Sequence, residues 1–222
     1  MSLEIRQLTI KDVPGAWEVL KDGSNSNIGA SFRLILTRQS TWIFAFTTLY
    51  MAYVYTGSVE VTVWTFISYF AAIYIFVICG SLYYIYGPPL ADMRKPKETY
   101  MVQDNTSFLV AEMNRKIVGT IAIVPKPQTS TNTSKDNGHE IAWLRRMAVL
   151  RKYRGRGIAK KLLRAAILFS RKAKYKQIDL ITTDVHFAAR NLYTKMGFEC
   201  ISYKPIRRLI IFVWTYEFTL QL

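Results

Sequence analysis

The residues best suited to chemistry lie in a short basic turn at residues 154–159, with the sequence RGRGIA. Glycine has no Cβ, so such a turn bends sharply and its N–H groups can approach a ligand closely. A helical apolar pattern follows at once, and the first amides of a helix favour phosphate. Lys152, Arg154 and Arg156 add positive charge beside these amides. The turn therefore predicts a site for a pyrophosphate group.

The elements that must position this turn extend from residue 141 to residue 198, in the order strand, turn, helix, strand and helix. Apolar residues occupy both alternating sets of the first strand, which predicts a central strand that is at least half buried on both faces. Strict alternation places Arg145 and Val149 on one face and Arg146 and Ala148 on the other. The helix after the turn presents an inward apolar stripe, formed by Ile158, Leu162, Leu163, Ala166, Ile167 and Phe169.

The remaining segments complete a mixed α/β pattern. Residues 3–10 alternate like a strand, residues 13–21 are typical of a helix, and residues 22–31 have the composition of a loop. Further strands are predicted at 107–114, 116–124, 199–204 and 209–220, and residues 125–139 are predicted to form a polar surface loop.

Charge and cysteine content restrict the class of protein. The 222 residues include 30 basic and 15 acidic side chains, which gives a formal charge of +15 and favours an anionic partner such as nucleic acid, lipid or a phosphorylated small molecule. Half of the residues are hydrophobic, which excludes a nucleic-acid-binding tail. Cys79 and Cys200 provide neither a disulfide framework nor metal-ligand spacing, so no metal is expected. The polar N-terminus predicts no cleaved signal peptide.

A long apolar segment separates the first helix from the later strands. Glu60 is its only charged side chain between Arg38 and Asp92. About 20 apolar residues span a bilayer, a length that residues 61–85 exceed, whereas residues 42–55 either span with help from their neighbours or re-enter the membrane. The alternative is a buried core hairpin, but a domain of about 150 residues has little room for it. The segment predicts a membrane hairpin that turns near residues 56–60.

Basic residues flank this segment on both outer sides and are missing from its turn. By the positive-inside tendency, both flanks and the remaining chain should face the cytosol. The flanking residues are Arg33, Arg38, Arg94, Lys95 and Lys97.

Two motifs together resemble a known superfamily. The pattern R-x-x-R-G-R-G-I-A-x-x-L-L, followed after the next strand by A-x-x-L-Y-x-K-M-G-F, is similar to the GNAT superfamily of acetyl-CoA-dependent N-acetyltransferases. The resemblance covers most of residues 3–20 and 100–219, and the inserted hairpin makes the chain similar to camello-like, membrane-bound members. It implies a mixed, mostly antiparallel sheet flanked by helices. Residues 1–38 and 91–222 would form the acetyltransferase domain, and residues 39–90 would form a transmembrane helical hairpin.

The same resemblance implies how acetyl-CoA is held. The strand ending at residue 149 splays from residues 177–183, so that the pantetheine arm pairs with its free backbone, while the glycine turn holds the pyrophosphate. Lys152 stands where the family has Gln or Arg, and His186 stands where many members have an asparagine that touches the cofactor. The implied cofactor-binding residues are Met147, Ala148, Val149, Lys152, Arg154, Gly155, Arg156, Gly157, Ile158, Ala159 and His186.

Acetyl transfer requires a neutral amine, a polarised thioester carbonyl and a proton for the departing thiolate. Tyr193 corresponds to the tyrosine that often supplies this proton; alternatively it is a core residue that packs its helix onto the sheet. Glu140, with His139 beside it, is the candidate general base, and water-relayed deprotonation is the alternative. One of Arg145 and Arg146 is predicted to favour a carboxylate-bearing amine, while the other pairs structurally.

The predicted function is acetyl transfer from acetyl-CoA to a primary amine. Cysteine S-conjugates are the first choice, because an apolar acceptor partitions toward a membrane; protein lysine and free amino acids are alternatives. The family resemblance implies an endoplasmic reticulum membrane. A second reading is a membrane-anchored acetyl-CoA-binding module without turnover. A third, nucleic-acid binding through the basic run, is disfavoured because the cofactor already explains that run.

Overall fold

The computed structural model describes residues 3–127, 140–205 and 213–222. Within them, two compact units are distinguished, one formed by residues 1–23 and 91–222 and the other by residues 24–90. The predicted polar loop lies mostly outside the described residues, as do His139 and the first part of the predicted last strand.

A seven-stranded sheet forms the first unit, in the order β1-β2-β3-β4-β5-β7-β6. All neighbours are antiparallel except β4 and β5. The predicted fold class, a mixed and mostly antiparallel sheet flanked by helices, is confirmed. The strands are β1 Leu3–Gln7, β2 Ser107–Met113, β3 Lys116–Pro125, β4 Ile141–Val149, β5 Gln177–Thr183, β6 Glu199–Pro205 and β7 Trp214–Gln221.

In the described ranges, seven α-helices accompany the strands: α1 Val13–Asn25, α2 Ile28–Leu36, α3 Gln39–Thr56, α4 Val59–Tyr86, α5 Pro96–Tyr100, α6 Ile158–Lys172 and α7 Phe187–Lys195. Helix α6 packs against β1 to β4, and α7 packs against β5 and β6. Gly119 on β3 permits the approach of α6, because a Cβ there would lie 2.9 Å from the Leu162 side chain. Leu162, Leu163 and Ala166 are fully buried, as the predicted apolar stripe requires.

The second unit is a helical hairpin with an additional helix. Helices α3 and α4 are joined at Gly57, which has a φ of 60° and ends α3 in the left-handed conformation, so the turn lies where the sequence predicts it. The Tyr69 hydroxyl donates to the Thr41 carbonyl at 2.9 Å, and the rings of Trp42 and Phe70 lie 5.6 Å apart. These contacts fix α4 against α3.

One helical segment, Val59–Arg94, is long and apolar enough to span a membrane, and none of its most apolar window is buried. Large apolar side chains along both arms are exposed instead, including Phe46 at 63% and Trp64 at 61%. Exposed apolar surface of this extent on a long helix is typical of a lipid-facing element.

The predicted loop at residues 22–31 is wrong in most positions, because α1 continues to Asn25 and α2 begins at Ile28. Ser24 and Ser81 share a hydrogen bond of 2.8 Å between their hydroxyls, and Ser81 donates to Asn25 at 3.3 Å. Tertiary hydrogen bonds of this kind outweigh the weak helix propensity of serine and asparagine.

The strict alternation predicted for β4 also fails near its end. Arg146 has a φ of 55°, and the register with β3 shifts between Thr120 and Ala122. This β-bulge is held by the Thr120 hydroxyl, which donates to the Arg146 carbonyl at 2.8 Å. The extra residue reverses the later side chains, so that Val149 is buried although strict alternation places it with the half-buried residues Ile141, Trp143 and Arg145.

Candidate active site

The sheet splits between β4 and β5. The two strands pair only where Ile141, Ala142 and Trp143 face Gln177, Ile178 and Asp179. Beyond Trp143 the remaining backbone of β4 has no pairing partner on the β5 side, which leaves N–H and C=O groups that an extended ligand can pair with. The predicted splay of β4 from β5 is confirmed, and Met147, Ala148 and Val149 lie on the splayed part.

The glycine turn follows β4 and leads directly into α6. Gly155 and Gly157 have φ values of 76° and 75°, and nothing lies within 4 Å of a Cβ built on either residue. Gly157 is the N-cap of α6 and has no side chain with which to satisfy the first helical amides. The cradle therefore has open space above donors that favour an anion, which fits a pyrophosphate.

Three basic side chains surround this cradle. Arg154 donates from Nε to the Val149 carbonyl at 3.0 Å, which ties the turn to the end of β4. The Arg156 guanidinium lies 5.3 Å from the centre of the Tyr153 ring, and Lys152 is exposed. Their charge strengthens the attraction of the amides for phosphate.

Tyr193 on α7 reaches β4. Its hydroxyl lies 3.4 Å from the Met147 sulfur, and its ring contacts Phe198 and Phe218 at 5.7 and 5.9 Å. The side chain is 5% exposed, and burial raises its pKa well above the ordinary value. The hydroxyl therefore keeps its proton at neutral pH, as a proton donor must.

His186 lies in the short connection between the end of β5 and the start of α7. Its Nδ1 atom lies 2.9 Å from the Thr183 hydroxyl. Although the residue as a whole is exposed, the pKa of the imidazole lies below its ordinary value. Loss of hydration around the ring is the main cause; Asp184 opposes the shift, and the positive charges of Arg154 and Arg190 reinforce it. Because the charge of Arg154 acts on the imidazole, His186 lies near the glycine turn.

Glu140 does not lie near Tyr193, Met147 and the glycine turn. It lies at the opposite end of β4 from Met147 and forms an ion pair of 2.7 Å with Lys176. With about 3.3 Å of rise per strand residue, Glu140 is on the order of 20 Å along the strand from Met147. Direct deprotonation of an amine beside Tyr193 is therefore out of its reach.

The structural pairing predicted for one of Arg145 and Arg146 is found at Arg146, in a buried ion pair beneath the bulge of β4. Sequence reasoning missed its partner, Asp92. Arg146 donates from Nε and Nη2 to the two carboxylate oxygens of Asp92 at 2.9 and 2.6 Å, and the Tyr100 hydroxyl also donates to Asp92. The side chains of Arg146 and Asp92 are only 5% and 12% exposed. Arg145 forms no hydrogen bond or ion pair with any described residue. The available signal was an arginine on the buried face of a strand, which requires a buried carboxylate somewhere else in the chain.

In the described ranges, no three His, Cys, Asp or Glu side chains are grouped closely enough to hold a metal ion. Cys79 and Cys200 are free and exposed.

Comparisons with known proteins agree with this geometry. Residues 104–200 match the family described as "Acetyltransferase (GNAT) domain". The chain is 27% identical over 202 residues to the probable N-acetyltransferase camello of Xenopus tropicalis, covering 89% of this chain and 86% of that protein. It is 38% identical over 108 residues to the N-acetylaspartate synthetase of Xenopus tropicalis, covering 49% and 36%.

The fold is similar to a Salmonella typhimurium acetyltransferase solved with its cofactor acetyl-CoA. The TM-score is 0.58 at 13% identity, and the match covers 100% of this chain and 95% of that one.

Proposed function

Residues 104–200 match the acetyltransferase domain of the GNAT family, and from that premise we propose that this chain is a GNAT N-acetyltransferase that moves an acetyl group from acetyl-CoA to the amine of a cysteine S-conjugate. The observation that carries the proposal is the juxtaposition of the split between β4 and β5, the open glycine cradle and the Tyr193 hydroxyl. Acetyl-CoA has a diphosphate, an extended pantetheine arm and a thioester, and each has a counterpart in this arrangement.

The residues that hold acetyl-CoA follow from the open turn and from the split in the sheet. The Arg154 N–H already donates to the Arg151 carbonyl at 3.3 Å, so the amides of residues 155–159 hold the diphosphate, with Lys152, Arg154 and Arg156 adding charge. The backbone of residues 147–149, which pairs with β3 but not with β5, aligns the pantetheine arm, and His186 contacts the arm near the end of β5. When bound, acetyl-CoA supplies an activated acetyl group as a thioester.

Tyr193 acts as the general acid. The amine nitrogen forms a bond to the acetyl carbon, the carbon–sulfur bond breaks, and the thiolate takes the phenolic proton. The proton of the amine leaves through water, since Glu140 lies at the far end of β4. Tyr193 recovers its proton from solvent before the next turnover.

Arg145 contributes to the choice of acceptor. Arg146 forms an ion pair with Asp92, whereas Arg145 has no hydrogen bond or ion pair among the described residues, although its charge helps to lower the pKa of the Asp92 carboxyl. Arg145 lies on the splayed part of β4. Its guanidinium is suited to the carboxylate of an amino-acid-like acceptor. Changing Arg145 to Ala should raise KM for acceptors that carry a carboxylate and leave KM for simple amines unchanged.

The setting is a membrane. Residues 39–90 form the inserted hairpin, flanked by basic residues that keep residues 1–38 and 91–222 in the cytosol, and the membrane is that of the endoplasmic reticulum. The exposed apolar surface of α4 supports this assignment. An acceptor with an apolar S-substituent concentrates near such a site.

A second candidate is a free amino acid as acceptor. The identity of 38% with N-acetylaspartate synthetase covers the part of the chain that contains the site, which favours an acidic amino acid. An aspartate acceptor would use the same carboxylate contact and would not need a membrane.

A mass-spectrometric acceptor panel tests the proposal. The full-length protein in detergent receives acetyl-CoA with S-benzylcysteine, aspartate, a lysine peptide or a simple alkylamine. Preferred acetylation of S-benzylcysteine supports the first choice, and preferred acetylation of aspartate supports the second. Binding of acetyl-CoA by calorimetry without any acetylated product would contradict enzymatic function and favour a binding module.

A further inference from the structure

A groove of about 510 Å³ lies outside the candidate active site, between the start of α1 and the chain around α5. Ile10 and Val13 form part of one wall, and Arg94, Lys95, Lys97 and Glu98 contribute the charged groups. None of these residues takes part in holding acetyl-CoA or in acetyl transfer.

The groove carries an excess of positive charge. Its three basic side chains face a single carboxylate, and all four residues are exposed. Lys95 and Glu98 lie 3.3 Å apart with exposed fractions of 71% and 68%, so their ion pair is weak. The formal charge of the lining is therefore +2, which favours an anionic occupant.

An apolar lip adjoins the charged groups. Ile10 is 62% exposed although it is a large apolar residue, and Val13 beside it is half-buried. A free inorganic anion gains nothing from apolar walls, whereas a phospholipid presents a phosphate next to glycerol and acyl carbons. The combination fits a lipid headgroup.

The position in the chain favours the same occupant. The segment long and apolar enough to span a membrane ends at Arg94, and Lys95 and Lys97 follow it immediately. Basic residues next to a membrane span attract anionic lipids with about 1 kcal/mol each. Covalent connection therefore keeps the cations of the groove near the membrane exit.

We propose that this groove binds the headgroup of an anionic phospholipid. The proposal rests on the membrane anchoring given under the proposed function. Asp92, which holds Arg146 beneath the bulge of β4, is two residues before Arg94, so a lipid in the groove orders the segment that supports the acetyl-transfer strand. Bound lipid should consequently raise the thermal midpoint of the protein.

The test uses full-length protein in mild detergent and native mass spectrometry with phosphatidylserine or phosphatidylcholine. The groove variant carries R94Q, K95Q and K97Q. Its matched control carries K161Q, R164Q and K172Q, which remove one exposed arginine and two exposed lysines from α6. A single K97E variant provides a second, smaller perturbation, and calorimetry with coenzyme A checks that each variant is folded.

Wild type and the α6 control should retain phosphatidylserine in preference to phosphatidylcholine. The groove variant should bind phosphatidylserine about fivefold more weakly for each charge removed, on the order of 100-fold in total. Equal retention by all three proteins, or no preference of the wild type for phosphatidylserine, would overturn the proposal. Inorganic phosphate that raises the thermal midpoint as much as phosphatidylserine would also overturn it. Absence of acetyl transfer with the lipid result intact would contradict only the enzymatic function.

Discussion

At the scale of single residues, the hydroxyl of Tyr193 is the group that we propose as the proton donor. It is buried, it touches the Met147 sulfur, and its raised pKa keeps the proton on oxygen. Replacing it by phenylalanine keeps the contacts with Phe198 and Phe218 and removes only the hydroxyl. Since general acid catalysis contributes roughly 10²- to 10⁴-fold, we expect kcat to fall at least about 100-fold for Tyr193→Phe.

Steady-state kinetics at saturating acetyl-CoA measures this change, and calorimetry should give an unchanged Kd for coenzyme A. If kcat stays within twofold of the wild type, Tyr193 is a packing residue and another group protonates the thiolate.

The lowered pKa of His186 makes the stability of the protein depend on pH. Its folded-state pKa lies below the ordinary 6.5, so between that lowered pKa and 6.5 the unfolded chain binds more protons than the folded one. Stability should therefore be complete above this window and fall as pH falls through it. The variant H186N cannot take up the proton, so its stability should change less with pH in the same range.

Unfolding midpoints measured from pH 5 to pH 7.5 test this sign. The chain has only two histidines, so a slope that persists unchanged in H186N would have to be assigned to other groups, and the assignment to His186 would be wrong.

At the scale of elements, the turn between β4 and α6 depends on two left-handed glycines. Valine at Gly155 and Gly157 would be strained by roughly 1–2 kcal/mol each at these φ values and would fill the open space above the amides. We expect the double variant to bind coenzyme A at least 100-fold more weakly, because the diphosphate loses contact with the helix N-terminus. Isothermal titration calorimetry measures the affinity.

The matched control is Gly57→Val, which introduces the same kind of strain at a φ of 60° in open space at the hairpin turn. It should leave coenzyme A affinity unchanged. A similar loss of affinity in the control would mean that strain and not the cradle is responsible.

The pair of Arg146 and Asp92 ties the segment after the apolar helix to the bulge of β4. Removing one partner of a buried ion pair leaves an uncompensated charge, at a cost of about 3–5 kcal/mol. We expect Arg146→Met and Asp92→Asn each to lower the free energy of unfolding by about 3 kcal/mol. The double variant with Arg146→Met and Asp92→Leu should lower the free energy of unfolding by less than the two single losses added together.

Chemical denaturation in detergent measures these differences, and Arg145→Gln on the neighbouring position should change stability by less than about 0.5 kcal/mol. Equal effects at Arg145 and Arg146 would contradict a specific role for the buried pair.

Features that depend on a local sequence pattern could be predicted from the sequence. The glycine turn, the stripe of α6 and the hairpin turn near Gly57 follow from spacing and composition alone, and the sheet class and the splay follow from the resemblance those motifs carry. The bulge at Arg146 could not be predicted, because it depends on the Thr120 hydroxyl of another strand. The partner of Arg146 is 54 residues earlier in the chain, and no periodicity relates the two. The distance of Glu140 from Tyr193 could not be predicted, because it depends on the contact of Tyr193 with Met147 on another element.

At the scale of the whole molecule, charged side chains and exposed apolar side chains lie in different parts of the chain. The formal charge of +15 belongs almost entirely to residues outside the apolar segment, whereas α3 and α4 expose large apolar side chains. Water solvates the first part well, and the exposed apolar surface of the second part is suited to lipid. This division supports the proposed hairpin in a membrane and a catalytic domain outside it.

The two natural cysteines test this division without any added tag. Cys79 lies on α4 within the candidate span and Cys200 lies on β6, and both are exposed on the protein itself. In intact microsomes, a membrane-impermeant maleimide should label Cys200 from the cytosolic side and leave Cys79 unlabelled, because lipid covers it. After denaturation in detergent both should react. The variant C200S should lose the first label and keep the second. Labelling of Cys79 in intact vesicles would mean that α4 is in water, and labelling of Cys200 only after the vesicles are opened would reverse the proposed orientation.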